Sequence, residues 1–103
     1  MIPARGEVWI VDLGLAAKVR PCLVIHIPFR DEERALFSVV PPTTSLWRTR
    51  FEVPTELRWL DSGVFDTRGI RPDPGGVFMR RLGAVPGDLL LKVEATARLC
   101  LGL

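Results

Sequence analysis

Apolar positions in this chain fall into short runs broken by proline, glycine and charge, and a single stretch repeats with a helical period. Residues 7–13 (Glu-Val-Trp-Ile-Val-Asp-Leu) have β-formers at their centre and predict a first strand, with Arg5-Gly6 as the turn before it and residues 14–18 as a short linker after it. Residues 20–27 are nearly all apolar, as expected of a core strand entered through Arg20-Pro21; proline suits only the beginning or edge of such a strand. Pro28 ends it, and residues 29–33 form a charged turn. Residues 34–40 predict a third strand, stopped by Pro41-Pro42 because neither ring can donate to a ladder. Thr43, Thr44 and Ser45 follow at its exit. Arg50-Phe51-Glu52-Val53 alternates charged with apolar and predicts a short fourth strand. Residues 54–62 read as a loop or a turn of helix. Residues 63–76 carry four glycines and two prolines, mostly turn chemistry with room for a strand near 64–71. Residues 77–82 predict the last strand.

Residues 87–101 are different. Leu89, Val93, Ala97 and Leu101 recur every four positions with Leu90 beside them, so one helical face is expected to be buried and Lys92, Glu94 and Arg98 to face water. Asp88 lies in the first turn, and Gly102 stands where a C-terminal cap belongs. Short strands closed by one helix predict a mainly β (β plus α) fold: a small, curved, barrel-like sheet with a helix across it.

At 103 residues the chain is expected to form a single domain over 1–103, and 48% apolar with 25% charged residues is the composition of a folded protein. No apolar run approaches the ~18 residues of a membrane span. The first 30 residues carry Glu7 and Asp12 and lack the layout of a signal peptide, so the expected location is the cytoplasm. Twelve of the 14 cationic residues are arginine, which fits either a GC-rich coding bias or phosphate recognition by the rigid guanidinium fork. The net charge of +2 resides in residues 47–81, which hold seven arginines against five acids. Cys22 and Cys100 have no paired spacing and read as small buried hydrophobes; with His26 the only histidine, neither a metal site nor a cofactor is expected.

The motifs of phosphate-cradling loops, nucleophile elbows and metal-binding helices are absent. Polar groups at strand ends remain. If the second and third strands pair antiparallel through a hairpin at 28–33, Arg20 at the start of one meets Thr43 at the exit of the other. A guanidinium and a hydroxyl at one edge can hold a phosphate. Plainer roles exist: Arg20 pairing with Glu7 or Asp12, Thr43 capping the turn after the prolines, His26 packed at a sheet edge rather than carrying protons. Trp9 belongs in the core, whereas Trp47 and Trp59 flank Arg48, Arg50 and Arg58 and suit either base stacking or a protein contact; Arg80-Arg81 reads as a solvated pair.

These same residues carry a resemblance. Residues 5–14 (Arg-Gly-Glu-Val-Trp-Ile-Val-Asp-Leu-Gly), Arg20-Pro21-Cys22-Leu23-Val24-Ile25, Val39-Val40-Pro41-Pro42-Thr43-Thr44-Ser45, Phe51-Glu52-Val53 and the terminal Leu-Gly-Leu together resemble the MazF/PemK toxin endoribonucleases of bacterial toxin–antitoxin systems, in order and almost end to end. The resemblance implies an SH3-like barrel acting as a homodimer, and metal-independent cleavage of single-stranded RNA at a short preferred sequence. It also implies a MazE-like antitoxin partner whose disordered acidic tail covers the site. The family's catalytic Arg falls on Arg20 and its catalytic Thr on Thr43. Thr44, Ser45, Arg48, Arg50, Asp66, Arg68, Arg71 and His26 are the expected RNA-contacting set. The chain departs from the family in a short, acid-free linker (Leu15-Ala16-Ala17-Lys18-Val19) and in placing Arg68 where an Asp is usual, with Asp66 two positions earlier; Arg71 matches. A gyrase-poisoning toxin like CcdB, which also ends in a short Gly-containing apolar tail, and a non-catalytic SH3-like interaction module are the alternatives.

Overall fold

The computed structural model describes residues 2–14, 18–61 and 63–103. Most of the expected linker, residues 15–17, and Ser62 at the end of the expected loop lie outside the described residues. Among the described residues, eight strands and one α-helix follow in the order β1 (Glu7–Asp12), β2 (Val19–Val24), β3 (Leu36–Val40), β4 (Pro42–Thr43), β5 (Glu52–Pro54), β6 (Val64–Asp66), β7 (Arg71–Pro74), β8 (Phe78–Ala84) and α1 (Gly87–Leu101). A five-stranded sheet has the order β7-β3-β2-β1-β8 and a three-stranded sheet the order β4-β6-β5. Every pairing is antiparallel. Among the described residues the two sheets do not join into a closed ring of hydrogen bonds. No helix is long and apolar enough to cross a membrane among the described residues.

The large sheet is buried on both faces because its central strands are apolar at both phases of the two-residue repeat. Val8, Leu23 and Val40 point to one face and join Val53, Leu60, Phe65, Val85 and Val93 in a core between the sheets and the helix. Trp9, Val11, Cys22, Val24, Phe37 and Val39 point to the other, where Leu13, Phe29, Val77 and Phe78 cover them. On that face Phe29, Phe37 and Phe78 meet edge to face, 5.1 Å between successive rings, and Trp9 continues the stack from Phe78 at 6.2 Å. Trp9 is thus core, as expected.

Prolines explain where the strands depart from expectation. The second strand holds Pro21 at its third position; β1 pairs with β2 there, but β3 pairs only with Leu23 and Val24, so the missing N–H faces no partner strand. This strand ends at Val24 rather than at residue 27, with Ile25 N donating a last bond to Ser38 O (3.0 Å). The proline pair ends β3, yet Pro42 opens a new strand, because β4 lies at the edge of the small sheet and needs donors on one side only. The 63–76 segment holds two strands rather than one, joined by a 3₁₀ turn at Thr67–Gly69. Its start is capped by Asp66, whose carboxylate accepts from Arg68 N.

The helix occupies the residues its periodicity predicts, and Gly102 ends it at φ 72° in the left-handed region that glycine tolerates. Val93 and Ala97 are its buried residues, while Leu101, expected on the same face, is 63% exposed because the last turn runs past the core. Cys100 is likewise half-buried rather than buried. Arg81, expected in a solvated pair, donates through Nε to Glu7 (2.6 Å). Arg5 and Glu94 form an ion pair that ties the N-terminal segment to the helix.

Candidate functional site

The β2–β3 hairpin builds the centre of the site. Leu23 pairs with Val40 and Val24 with Val39; the same register continued outward sets Arg20 against Thr43. Ladder pairing does not reach that far, because Pro41 interrupts it and Thr43 pairs instead with Val64 of β6. The chain therefore leaves the large sheet for the small one at the point where Arg20 and Thr43 meet. Two adjoining clefts open there, and both residues line both. Pro21, Pro42, Thr44, Leu60 and Asp61 complete the first. Pro41, Asp66, Arg68 and Gly69 complete the second.

The Arg20 guanidinium is held by a backbone acceptor, Nη2 donating to Pro42 O at 2.6 Å. The acids that offered it a plainer role are engaged elsewhere. Glu7 accepts from Arg81, from Trp9 Nε1 (3.0 Å) and from Ala4 N (2.8 Å); burial pushes its carboxyl up, and these three donors together bring it below the usual range. Asp12 accepts from Gly14 N (3.0 Å). Arg20 thus makes no ion pair among the described residues and has N–H donors beyond the one given to Pro42. Thr43 Oγ1 accepts from Ser45 N (3.0 Å), which is the expected capping role. Accepting that bond leaves the hydroxyl proton available to a ligand.

The remaining candidates divide by location. Thr44 lines the first cleft, and Ser45 N fixes the Thr43 rotamer. Asp66 and Arg68 line the second, where they satisfy each other: Asp66 accepts from Arg68 N (3.0 Å), Nε (3.1 Å) and Nη2 (2.8 Å). The hydrogen bonds from the Arg68 side chain are the largest influence holding the Asp66 carboxyl below the usual aspartate range, and the same contact raises Arg68. Arg50 and Arg68 both lie over the Phe51 ring, at 5.0 and 5.8 Å. Arg48 lines a separate groove with Leu46, Thr49, Glu52 and Gly63. Arg71 is not brought into either cleft; it pairs within β7 with the buried Asp73 (Nη2 to Oδ1, 3.1 Å). His26 lies apart as well, in an apolar cleft with Ile27, Phe29 and Phe37, its Nδ1 3.4 Å from Ser38 Oγ. Its ring meets Phe29 and Phe37 edge to face, at 5.7 and 6.2 Å between centroids.

Three residues that the sequence pattern did not single out shape the site. Glu52 accepts from the backbone N–H groups of Trp47 (2.9 Å), Arg48 (2.8 Å) and Thr49 (3.3 Å), and so clamps the loop that carries Trp47, 75% exposed. Gly63 lies against Thr43: a Cβ there would sit 2.5 Å from the Thr43 carbonyl oxygen. Thr55, fully buried, donates from N (3.0 Å) and Oγ1 (3.3 Å) to Gly63 O. A charged residue in an alternating strand, a glycine before a valine and a threonine after a proline carry no mark of these contacts; those of Gly63 and Thr55 depend on a second segment, and those of Glu52 on how the loop before it folds. Trp59, the other tryptophan flanking arginines, packs its ring on Gly83 of β8. No three His, Cys, Asp or Glu side chains cluster to hold a metal among the described residues.

No protein-family model matches the chain. Solved structures match it closely in shape. An endoribonuclease in complex with its cognate antitoxin from a mycobacterial species superposes with a TM-score of 0.84 at 24% identity, over 98% of this chain and 96% of that one. The MazE–MazF complex from Deinococcus radiodurans gives 0.83 at 22% identity, over 100% and 98%. The Mycobacterium tuberculosis toxin MazF-mt6 gives 0.79 at 19% identity, over 94% and 97%. At these identities the likeness is one of architecture, and it runs over nearly the whole chain: the chain has the MazF fold.

Proposed function

We propose that this protein is a toxin endoribonuclease of the MazF/PemK family, cleaving single-stranded RNA without a metal ion. The observation that carries the reading is that Arg20 and Thr43, donated by neighbouring segments, line the same pair of clefts. RNA brings its own nucleophile, the 2′-hydroxyl, so the protein needs no serine or cysteine. Its work is to align that oxygen with phosphorus and to stabilise charge on the phosphoryl oxygens. The Arg20 guanidinium stays charged at any working pH, since arginine ionises above ~12. Thr43 Oγ1, with its rotamer held by Ser45 N, donates to a non-bridging oxygen. The products are a 2′,3′-cyclic phosphate, or a 3′-phosphate after opening, and a 5′-hydroxyl. On this reading the protein is a cytoplasmic homodimer, and its antitoxin lays an acidic tail along the arginine-bearing clefts.

Purified protein incubated with a long single-stranded RNA in EDTA should cut it. The Arg20→Ala variant should lose ~10²–10³ in rate, as expected for one oxyanion donor, while keeping its circular dichroism spectrum. A folded Arg20→Ala protein with wild-type cleavage refutes the assignment. The exposed apolar tail at Leu101 and Leu103 favours the second reading, a CcdB-like gyrase poison; intact RNA together with trapped gyrase–DNA complexes would establish it instead.

A further inference from the structure

A 2′-hydroxyl attacks only if something takes its proton, and the centre described so far supplies donors alone. A guanidinium has no acceptor lone pair. Asp66 is engaged by three N–H groups of Arg68, Glu52 by three backbone N–H groups, Glu7 by Arg81, Trp9 and Ala4, and Asp73 is buried against Arg71. His26 opens onto a different cleft. Of the two carboxylates that line the clefts among the described residues, Asp61 and Asp66, that leaves one. Asp61 lines the first cleft with Arg20, Thr43 and Thr44, is exposed, and makes no side-chain hydrogen bond or ion pair among the described residues.

Its backbone is fixed although its side chain is exposed. Leu60, one residue before, is buried in the core between the sheets. The buried Thr55 hydroxyl reaches the carbonyls of Asp61 (3.5 Å) and Gly63 (3.3 Å), and Gly63 rests against the carbonyl of Thr43. The turn that carries Asp61 is thereby packed against the residue that carries the Thr43 hydroxyl.

Resting on the endoribonuclease reading, we infer that Asp61 is a further catalytic residue, the carboxylate that accepts the 2′-hydroxyl proton. As the 2′-oxygen bonds to phosphorus, its proton passes to Asp61. The P–O5′ bond breaks, and the 5′-oxygen departs with the electron pair and takes a proton from water. The hydroxide left behind is neutralised by the proton Asp61 then releases.

The test compares wild type, Asp61→Ala and Asp61→Asn in single-turnover cleavage of a defined RNA. Binding is measured in parallel with an oligonucleotide carrying a 2′-O-methyl group at the cut site. Both variants should lose ~10²–10⁴ in rate, the usual worth of a general base, with unchanged affinity and melting temperature. Added formate, acetate and imidazole should restore Asp61→Ala in order of their basicity, by filling the vacated space with a base. They should not restore Asp61→Asn, whose amide occupies that space. Cleavage by Asp61→Ala at the wild-type rate, a loss that no added base relieves, a loss that tracks weakened binding, or a shifted cut site at full rate would each overturn the inference while leaving Arg20 and Thr43 in place. A wild-type protein that cuts no RNA overturns both readings together.

Discussion

Replacing Gly63 with alanine tests how tightly the site depends on one backbone contact. The new Cβ would lie 2.5 Å from the Thr43 carbonyl oxygen and 3.1 Å from its carbon, both main-chain atoms that cannot rotate away. An ordinary carbon–oxygen contact is longer by nearly an ångström, so β4 and β6 must separate locally by a comparable amount. Gly63 also has φ 157°, where a side chain is strained whatever the space around it. Overpacking costs ~1–3 kcal/mol and a sparsely populated backbone conformation costs ~1–3 kcal/mol. Their sum of ~2–6 kcal/mol lies below most of the typical range of domain stability, ~5–15 kcal/mol, so the variant should fold with a lowered melting temperature, by ~4–8 °C per kcal/mol in a domain of this size. Activity should suffer more than stability suggests, because a ~1 Å misplacement of a catalytic group costs ~10²-fold. The control is Gly6→Ala. There φ is 90° and the Cβ meets the Leu90 side chain of α1 at 3.3 Å, in neither cleft. It should lower the melting temperature and leave single-turnover cleavage intact. Measured at a temperature where both variants are fully folded, equal cleavage by the two, or a Gly63→Ala protein as stable and active as wild type, refutes the claim that Gly63 sets the position of Thr43.

Two further predictions concern ionisation. Asp66 titrates below its unfolded value of ~3.9, because Arg68 hydrogen-bonds the charged form. Its contribution to stability is complete above that unfolded value and is lost as pH falls through the lower folded value. Since Arg68 is well exposed, solvent screening keeps the contribution small. Asp66→Asn should therefore flatten the acid end of a urea-midpoint profile slightly and lower the midpoint at neutral pH only slightly; an unchanged acid limb refutes it. Burial pushes the Cys22 thiol up to about 12, with the Asp73 charge adding to the effect and Arg20 and Arg71 opposing it. Thiolate is the reactive form, so iodoacetamide under native conditions should add a single label, at the half-buried Cys100. Mass-spectrometric detection of native labelling at Cys22 would contradict its burial.

What the sequence could and could not disclose follows from the range of each signal. The helix was legible to the residue because its evidence is local: a four-residue apolar repeat, and a glycine free to take φ 72°. The two-faced burial of β1 to β3 was legible for the same reason, since Val8 and Leu23 fall on one phase of the pleat and Trp9, Cys22 and Val24 on the other. Strands that owe their existence to a partner were not. Pro42–Thr43 is a strand only because Val64 and Phe65 lie alongside, and Arg71–Pro74 holds two prolines that any local rule reads as turn. The centre of the site divides in the same way. Arg20 and Thr43 could be brought together on paper by counting outward from a hairpin, because pairing register is arithmetic. Asp61 and Gly63 could not, because what joins them to Thr43 is a loop crossing fixed by Thr55, 12 residues after Thr43 and on another strand end. A short chain that turns from one sheet into the next at its own reactive threonine must hold that turn from both sides. Leu60 and Thr55 hold it from below, Arg20 holds the Pro42 carbonyl from above, and the space at Gly63 is what lets the two meet. Apart from the core packing of Leu60, each of those contacts is backbone-directed, so the residue types carry little signal in isolation even though the geometry at Thr43 depends on all of them.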